Sequence, residues 1–103
     1  MDTQDERREY KRYPFVAHVL IDGMKLCPSS DISEGGLFVS AIQHFQENDI
    51  VDVTIPHKEK TVMLKARVRY YQFGIGMGLM FSDLNDTQRA QITELIESIA
   101  VSS

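Results

Sequence analysis

Four basic residues fall within six positions near the N-terminus: Arg7, Arg8, Lys11 and Arg12. A cluster of this kind can wrap a compact anion. The planar fork of arginine matches phosphate oxygens, and also the O6/N7 edge of guanine. A second group follows at Asp31-Ile32-Ser33-Glu34-Gly35-Gly36. Asp31 and Ser33 alternate, so an extended backbone would project both to one side. A carboxylate repels phosphate; beside a nucleotide its useful role is to accept from the N1–H and N2–H donors of guanine, while Ser33 can donate or accept. Taken singly, each segment also reads as ordinary surface: a solvated basic patch, and a turn closed by glycines.

Other candidate chemistry is weaker. The three histidines, His18, His44 and His57, are isolated, and none is spaced to form a metal pair with another His, Cys or acid. The lone Cys27 cannot form an internal disulfide and has no evident activating base. It fits a reducing compartment. Gly74–Gly78, GIGMG, lacks the spacing of a dinucleotide loop and opens no helix. Alternating glycines there, Gly76 and Gly78, instead mark a strand face that a backbone or ligand approaches closely. No catalytic set and no metal set emerges, and the expectation is a protein that is not an enzyme and needs no cofactor.

Eleven Lys+Arg against fifteen Asp+Glu leave a net charge of −4 over 103 residues. That balance opposes general DNA or RNA binding, including a small barrel on single strands, which requires a basic groove with stacking aromatics. The opening MDTQDERREYKRY has no apolar leader, and no apolar run approaches the ~20 residues that cross a bilayer. A soluble, cytoplasmic domain without membrane insertion, monomeric or weakly dimeric, is expected.

The elements that must position these groups are mostly strands. Residues 1–12 form a charged head without hydrophobic periodicity. Pro14–Ile21 reads as a strand, Asp22-Gly23 as a hairpin turn, Met24–Ser30 as the return strand, 31–36 as a turn, and Leu37–Ser40 as a short strand. Residues 43–49 read as a loop, and Ile50–Ile55 as a strand ended by Pro56. Thr61–Tyr71 alternates cleanly, with Val62, Leu64, Ala66, Val68 and Tyr70 on one face and Met63, Lys65, Arg67 and Arg69 on the other. Gln72–Gly74 turns the chain into Ile75–Phe81, where Ile75, Met77, Leu79 and Phe81 share a face. Asn85 with Gln88 forms a capping box, and Ile92, Leu95, Ile96 and Ile99 stripe one side of a helix. The fold class expected is mainly β: a six-stranded antiparallel β-barrel with one C-terminal α-helix, divided as head 1–12, barrel 13–84 and helix 85–101.

Arg8-x-x-x-Arg12 followed by Asp31-x-Ser33-x-x-Gly36 resembles the two-part signature of PilZ domains, bacterial receptors for the second messenger cyclic di-GMP. Gly76–Phe81 resembles the family's last barrel strand and 85–100 its C-terminal helix, so the resemblance runs from about residue 6 to 100. It implies a split barrel that binds cyclic di-GMP on its outer surface. The resemblance implies Arg7, Arg8, Arg12, Asp31, Ser33 and Gly36 as ligand-binding residues; Gly35 beside them and the strand face emptied by Gly76 and Gly78 complete the candidate set. It implies two ligand molecules per domain, because a basic residue before the first signature arginine, here Arg7, accompanies that form. Output would pass from the N-terminal switch segment to a downstream partner protein. The alternative is a PilZ-like protein–protein adaptor that does not bind nucleotide.

Overall fold

The computed structural model describes residues 10–41 and 45–102. Seven strands run β1 Tyr13–Pro14, β2 His18–Ile21, β3 Lys25–Ile32, β4 Gly36–Val39, β5 Ile50–His57, β6 Lys60–Gln72 and β7 Gly76–Ser82, followed by helix α1, Asp86–Ser102. All pairings are antiparallel. Six strands close a ring in the order β3-β2-β5-β6-β7-β4, with β4 pairing back onto β3. The short β1 adds to the end of β3, Tyr13 opposite Ile32 and Pro14 opposite Asp31. Closure satisfies the backbone groups that an open edge would leave bare.

Inward side chains of every strand make one core that includes Val19, Ile32, Leu37, Val53, Val68 and Met77. Cys27 belongs to it as a small hydrophobe, and burial raises its thiol pKa above the ordinary value, with Lys25 opposing. Helix α1 packs against β6 and β1. Ile92, Leu95 and Ile96 are buried beneath it and Ile99 packs at the margin; each full burial contributes about 1.5–3 kcal/mol. The expected capping box is present. Asn85 Oδ1 accepts from the Gln88 backbone N–H at 2.7 Å, and Gln88 Oε1 accepts from the Asn85 N–H at 2.9 Å. Asp22 and Gly23 both have positive φ, as the tight β2–β3 hairpin requires.

Beyond shifts of a single residue at strand ends, the strands differ from the sequence reading in four places. The first strand is split. The chain breaks pairing at 15–17, and buried Ser29 fills the gap, its hydroxyl donating to Phe15 O at 2.6 Å and accepting from Ala17 N at 3.0 Å. Strand β3 runs on to Ile32, so Asp31 sits in a strand and the turn is only 33–35. Strand β5 continues through Pro56, which pairs with Thr61. Its other neighbour, β2, pairs only at Thr54 and Val53, so that edge asks no ladder hydrogen bond of the proline.

The fourth correction matters most for function. Val68 opposes Leu79 while Tyr70 opposes Gly78, so Arg69 is an extra residue in β6. This β-bulge interrupts the alternation. Arg69 and Tyr70 both face outward, and Tyr71 turns toward Phe45 in place of Tyr70.

Candidate functional site

A cleft of about 720 Å³ lies on the outside of the barrel over β3, β4, β7 and β6. Its lining brings together Arg12, Asp31, Ser33, Gly35, Gly36 and Gly78 of the sequence-derived set. Arg7 and Arg8 lie outside the described residues. Gly76 does not line the cleft.

One wall is the β3–β4 turn. Arg12 Nε and Nη2 both approach Asp31 Oδ1 at 2.6 Å, an ion pair whose side chains keep 52% and 34% exposure. Such partly exposed pairs contribute about 0–1 kcal/mol and open readily. Ser33 is buried, and its hydroxyl accepts from the Gly35 N–H at 3.1 Å. Its backbone N–H donates to Gly36 O at 2.8 Å. The Phe81 N–H then donates to Gly35 O at 2.9 Å, tying this turn to β7. Asp31 and Ser33 thus both line the cleft, with the Ser33 hydroxyl also engaged in the turn and the Asp31 carboxylate held by Arg12.

The glycines divide by what surrounds them. At Gly36 a Cβ would strike the Leu79 backbone, with its carbonyl carbon at 3.0 Å and Met80 Cα at 3.1 Å, so this signature glycine permits strand contact. At Gly35 the nearest atoms belong to the Tyr10 ring, 3.2 Å away. Gly76 has φ +155° and backs onto Val39 O and the Phe38 ring. Gly78 lies beneath the Tyr70 ring, 2.6 Å from a would-be Cβ. The strand face emptied by Gly76 and Gly78 is therefore covered by the protein's own rings. Phe38 and Tyr70 stand 6.2 Å apart between centroids, tilted by 37°.

The second wall consists of residues not singled out as ligand-binding in the sequence. Arg67 and Arg69 line it with Tyr70, and Tyr10, Phe38, Asn48 and Met80 are also in the lining. Arg67 and Arg69 were legible as the polar face of a strand, but their joining the site was not. The lining holds three arginines against one aspartate, a local positive excess within a chain of net −4. Neither Arg67 nor Arg69 has an ion-pair partner among the described residues. The described residues contain no cluster of His, Cys, Asp or Glu able to hold a metal ion. No helix among them is long and apolar enough to cross a membrane.

Comparison with known proteins gives a consistent answer. The solved structure of the Bacillus subtilis inhibitor of motility, MotI/DgrA, is similar with a TM-score of 0.71 and 25% identity, covering 89% of this chain and 50% of that one. The chain thus spans about half the length of that protein. The PilZ domain of CeSA from a cellulose-synthesizing bacterium has the same fold, with a TM-score of 0.70 and 21% identity over 87% of this chain and 98% of that one. No curated protein matches the sequence. The sequence profile of the PilZ domain matches residues 6–98, and the chain, closed barrel and terminal helix included, belongs to the PilZ domain family.

Proposed function

We propose that this domain is a receptor for cyclic di-GMP, and that occupancy is relayed through its N-terminal segment to a partner protein. PilZ domains are regulatory receptors or adaptors rather than enzymes, and the MotI neighbour is by its name an inhibitor of motility. The observation that carries the reading is the outer cleft, where Arg12 and Asp31 of the two signature halves meet beside Arg67 and Arg69. Arginines supply donors for phosphate and for guanine O6/N7; Asp31 supplies the acceptor for the guanine N1–H and N2–H pair. Arg7 and Arg8 stand immediately before this site in the chain and add charge to the same segment. On this reading residues 1–12 are the switch, 13–84 the barrel and 85–101 the helix. Arg7 favours a two-molecule ligand form.

One observation favours the adaptor alternative: Arg12 and Asp31 already satisfy each other. The magnitudes support the receptor reading over it. Opening that exposed pair costs about 0–1 kcal/mol, whereas each charge-assisted bond to a ligand returns about 1.5–3 kcal/mol. Calorimetric titration with cyclic di-GMP and cyclic di-AMP is the test. Binding of the guanine ligand, weakened in Arg12→Ala, is expected. An absence of heat and of chemical-shift change with either nucleotide would leave the adaptor reading.

A further inference from the structure

Cyclic di-GMP carries two guanines, and the two-part motif offers only one acceptor, the Asp31 carboxylate, to a guanine N1–H and N2–H pair. No ring of the motif is placed to stack on the other base. The barrel register indicates where it goes. Asp31 opposes Phe38 on β4, Phe38 opposes Gly78 on β7, and Gly78 opposes Tyr70 on β6. These four residues form one lateral row across the outer face, and three strand spacings of ~4.8 Å put its ends about 14 Å apart along the sheet. The middle of the row is low because Gly78 has no side chain, and the Tyr70 ring leans over it.

The bulge at Arg69 is what places Tyr70 in this row. Uninterrupted alternation would have sent Tyr70 into the core and left only Arg69 outside. With the extra residue, a cation and an aromatic ring emerge side by side, and Arg67 lies one row away, opposite Met80. One face of the Tyr70 ring is spent on Gly78; the side chain remains 46% exposed and lines the cleft. An exposed ring flanked by two arginines that have no acid partner among the described residues suits a purine with an attached phosphate: the ring stacks on the base and the guanidiniums face the anion.

We infer that the β6 bulge builds a second base subsite, in which Tyr70 stacks on the guanine distal to Asp31 and Arg67 and Arg69 neutralise the adjoining phosphate. This rests on the cyclic di-GMP reading. The structural alternative is that Tyr70 only covers Gly78.

The full chain is titrated with cyclic di-GMP by calorimetry, alongside Arg12→Ala, Tyr70→Ala, Tyr70→Leu and Tyr70→Phe. Stacking predicts roughly a tenfold loss of affinity for Tyr70→Ala and Tyr70→Leu, and little change for Tyr70→Phe. Thermal melting identifies any variant that has lost its fold, and Tyr70→Leu keeps apolar cover over Gly78 if Tyr70→Ala does not fold. In NMR spectra the Tyr70 ring resonances, assigned against Tyr70→Phe, should move upfield on saturation, which mere cover of Gly78 would not produce. Wild-type affinity in Tyr70→Leu, with binding weakened in Arg12→Ala, overturns the subsite and leaves the receptor reading intact. A Tyr70→Phe loss as large as that of Tyr70→Leu also overturns stacking, since the hydroxyl would then be the contact. No binding by the wild type overturns both.

Discussion

Gly36→Ala should cripple the barrel whether or not any ligand is present. The glycine opposes Met80 where β4 pairs with β7, next to the Leu79 carbonyl. A methyl group there meets backbone, which cannot rotate aside, at 3.0 Å from the Leu79 carbonyl carbon and 3.1 Å from Met80 Cα. Strand β4 has four residues, all paired to β7, so moving it disturbs the whole seam. Overpacking costs about 1–3 kcal/mol, and each weakened ladder hydrogen bond adds roughly 0.5–1.5 kcal/mol. A total of about 2–5 kcal/mol is a large share of the ~5–15 kcal/mol that holds such a domain together. At ~4–8 °C per kcal/mol the melting temperature should fall on the order of 10–30 °C. Gly35→Ala is the internal control: its methyl meets no backbone, only the Tyr10 ring, which is half exposed and free to yield, and Ser33 Oγ at an ordinary 3.9 Å. Circular-dichroism melts of both variants without nucleotide suffice. If Gly36→Ala melts with the wild type while losing ligand binding, the glycine serves the ligand and not the seam, and the packing argument is refuted.

Arg12→Ala should leave the melting temperature almost unchanged, because the Arg12–Asp31 pair is partly exposed and contributes about 0–1 kcal/mol; a large drop would mean that the pair holds the N-terminal segment on the barrel. Asn85→Ala removes the side-chain half of the capping box, the Oδ1 that accepts from the Gln88 N–H, and should cost about 0.5–2 kcal/mol in a denaturant titration. Ser29→Ala strands the Phe15 carbonyl and the Ala17 N–H beside a buried position, so a loss of about 1–3 kcal/mol is expected, and an unaltered midpoint would show that the hydroxyl is dispensable. Burial raises the Cys27 pKa, so the folded thiol stays protonated where the unfolded one, at about 9.0, ionises. The unfolded state then binds fewer protons, and stability should fall as pH climbs through 9.0, a slope that Cys27→Ala should reduce.

Period and turn chemistry carried most of the architecture. Asp22-Gly23 and the Asn85/Gln88 box were readable because each solves a local backbone problem with its own side chains. The buried stripe of α1 was readable because Ile92, Leu95 and Ile96 repeat at helical spacing. Failures came where tertiary pairing overrode the local pattern. Pro56 reads as a terminator, yet β2 has already left that edge of β5. Tyr70 reads as a core residue, since Val62 to Val68 alternate without fault. Only the pairing with β7, which skips Arg69, shows that the count shifts by one. Strand β6 contains no glycine or proline at that point; Gly78 on β7 is the local hint, an empty place for the displaced ring.

The same contrast separates the two walls of the site. Asp31, Gly36 and Tyr70 sit on paired strands of a closed barrel, so their mutual positions are set by folding. Arg12 precedes β1 and reaches the cleft through one exposed ion pair, with Lys11 5.5 Å from the Tyr13 ring and Tyr10 lying on Gly35. A ligand that replaces Asp31 as the partner of Arg12 gives up about 0–1 kcal/mol at the barrel and gains its bonds on the segment. By linkage, it can bias that segment only by the difference between its affinities for the two placements. On the proposed receptor reading, bonds made to Tyr70 and Arg67 are the same in both placements and raise affinity alone, whereas bonds made to Arg12 differ between them and would do the switching. Tyr70→Leu should therefore weaken binding while preserving the segment's response at saturation, and Arg12→Ala should blunt the response even at ligand concentrations that restore occupancy.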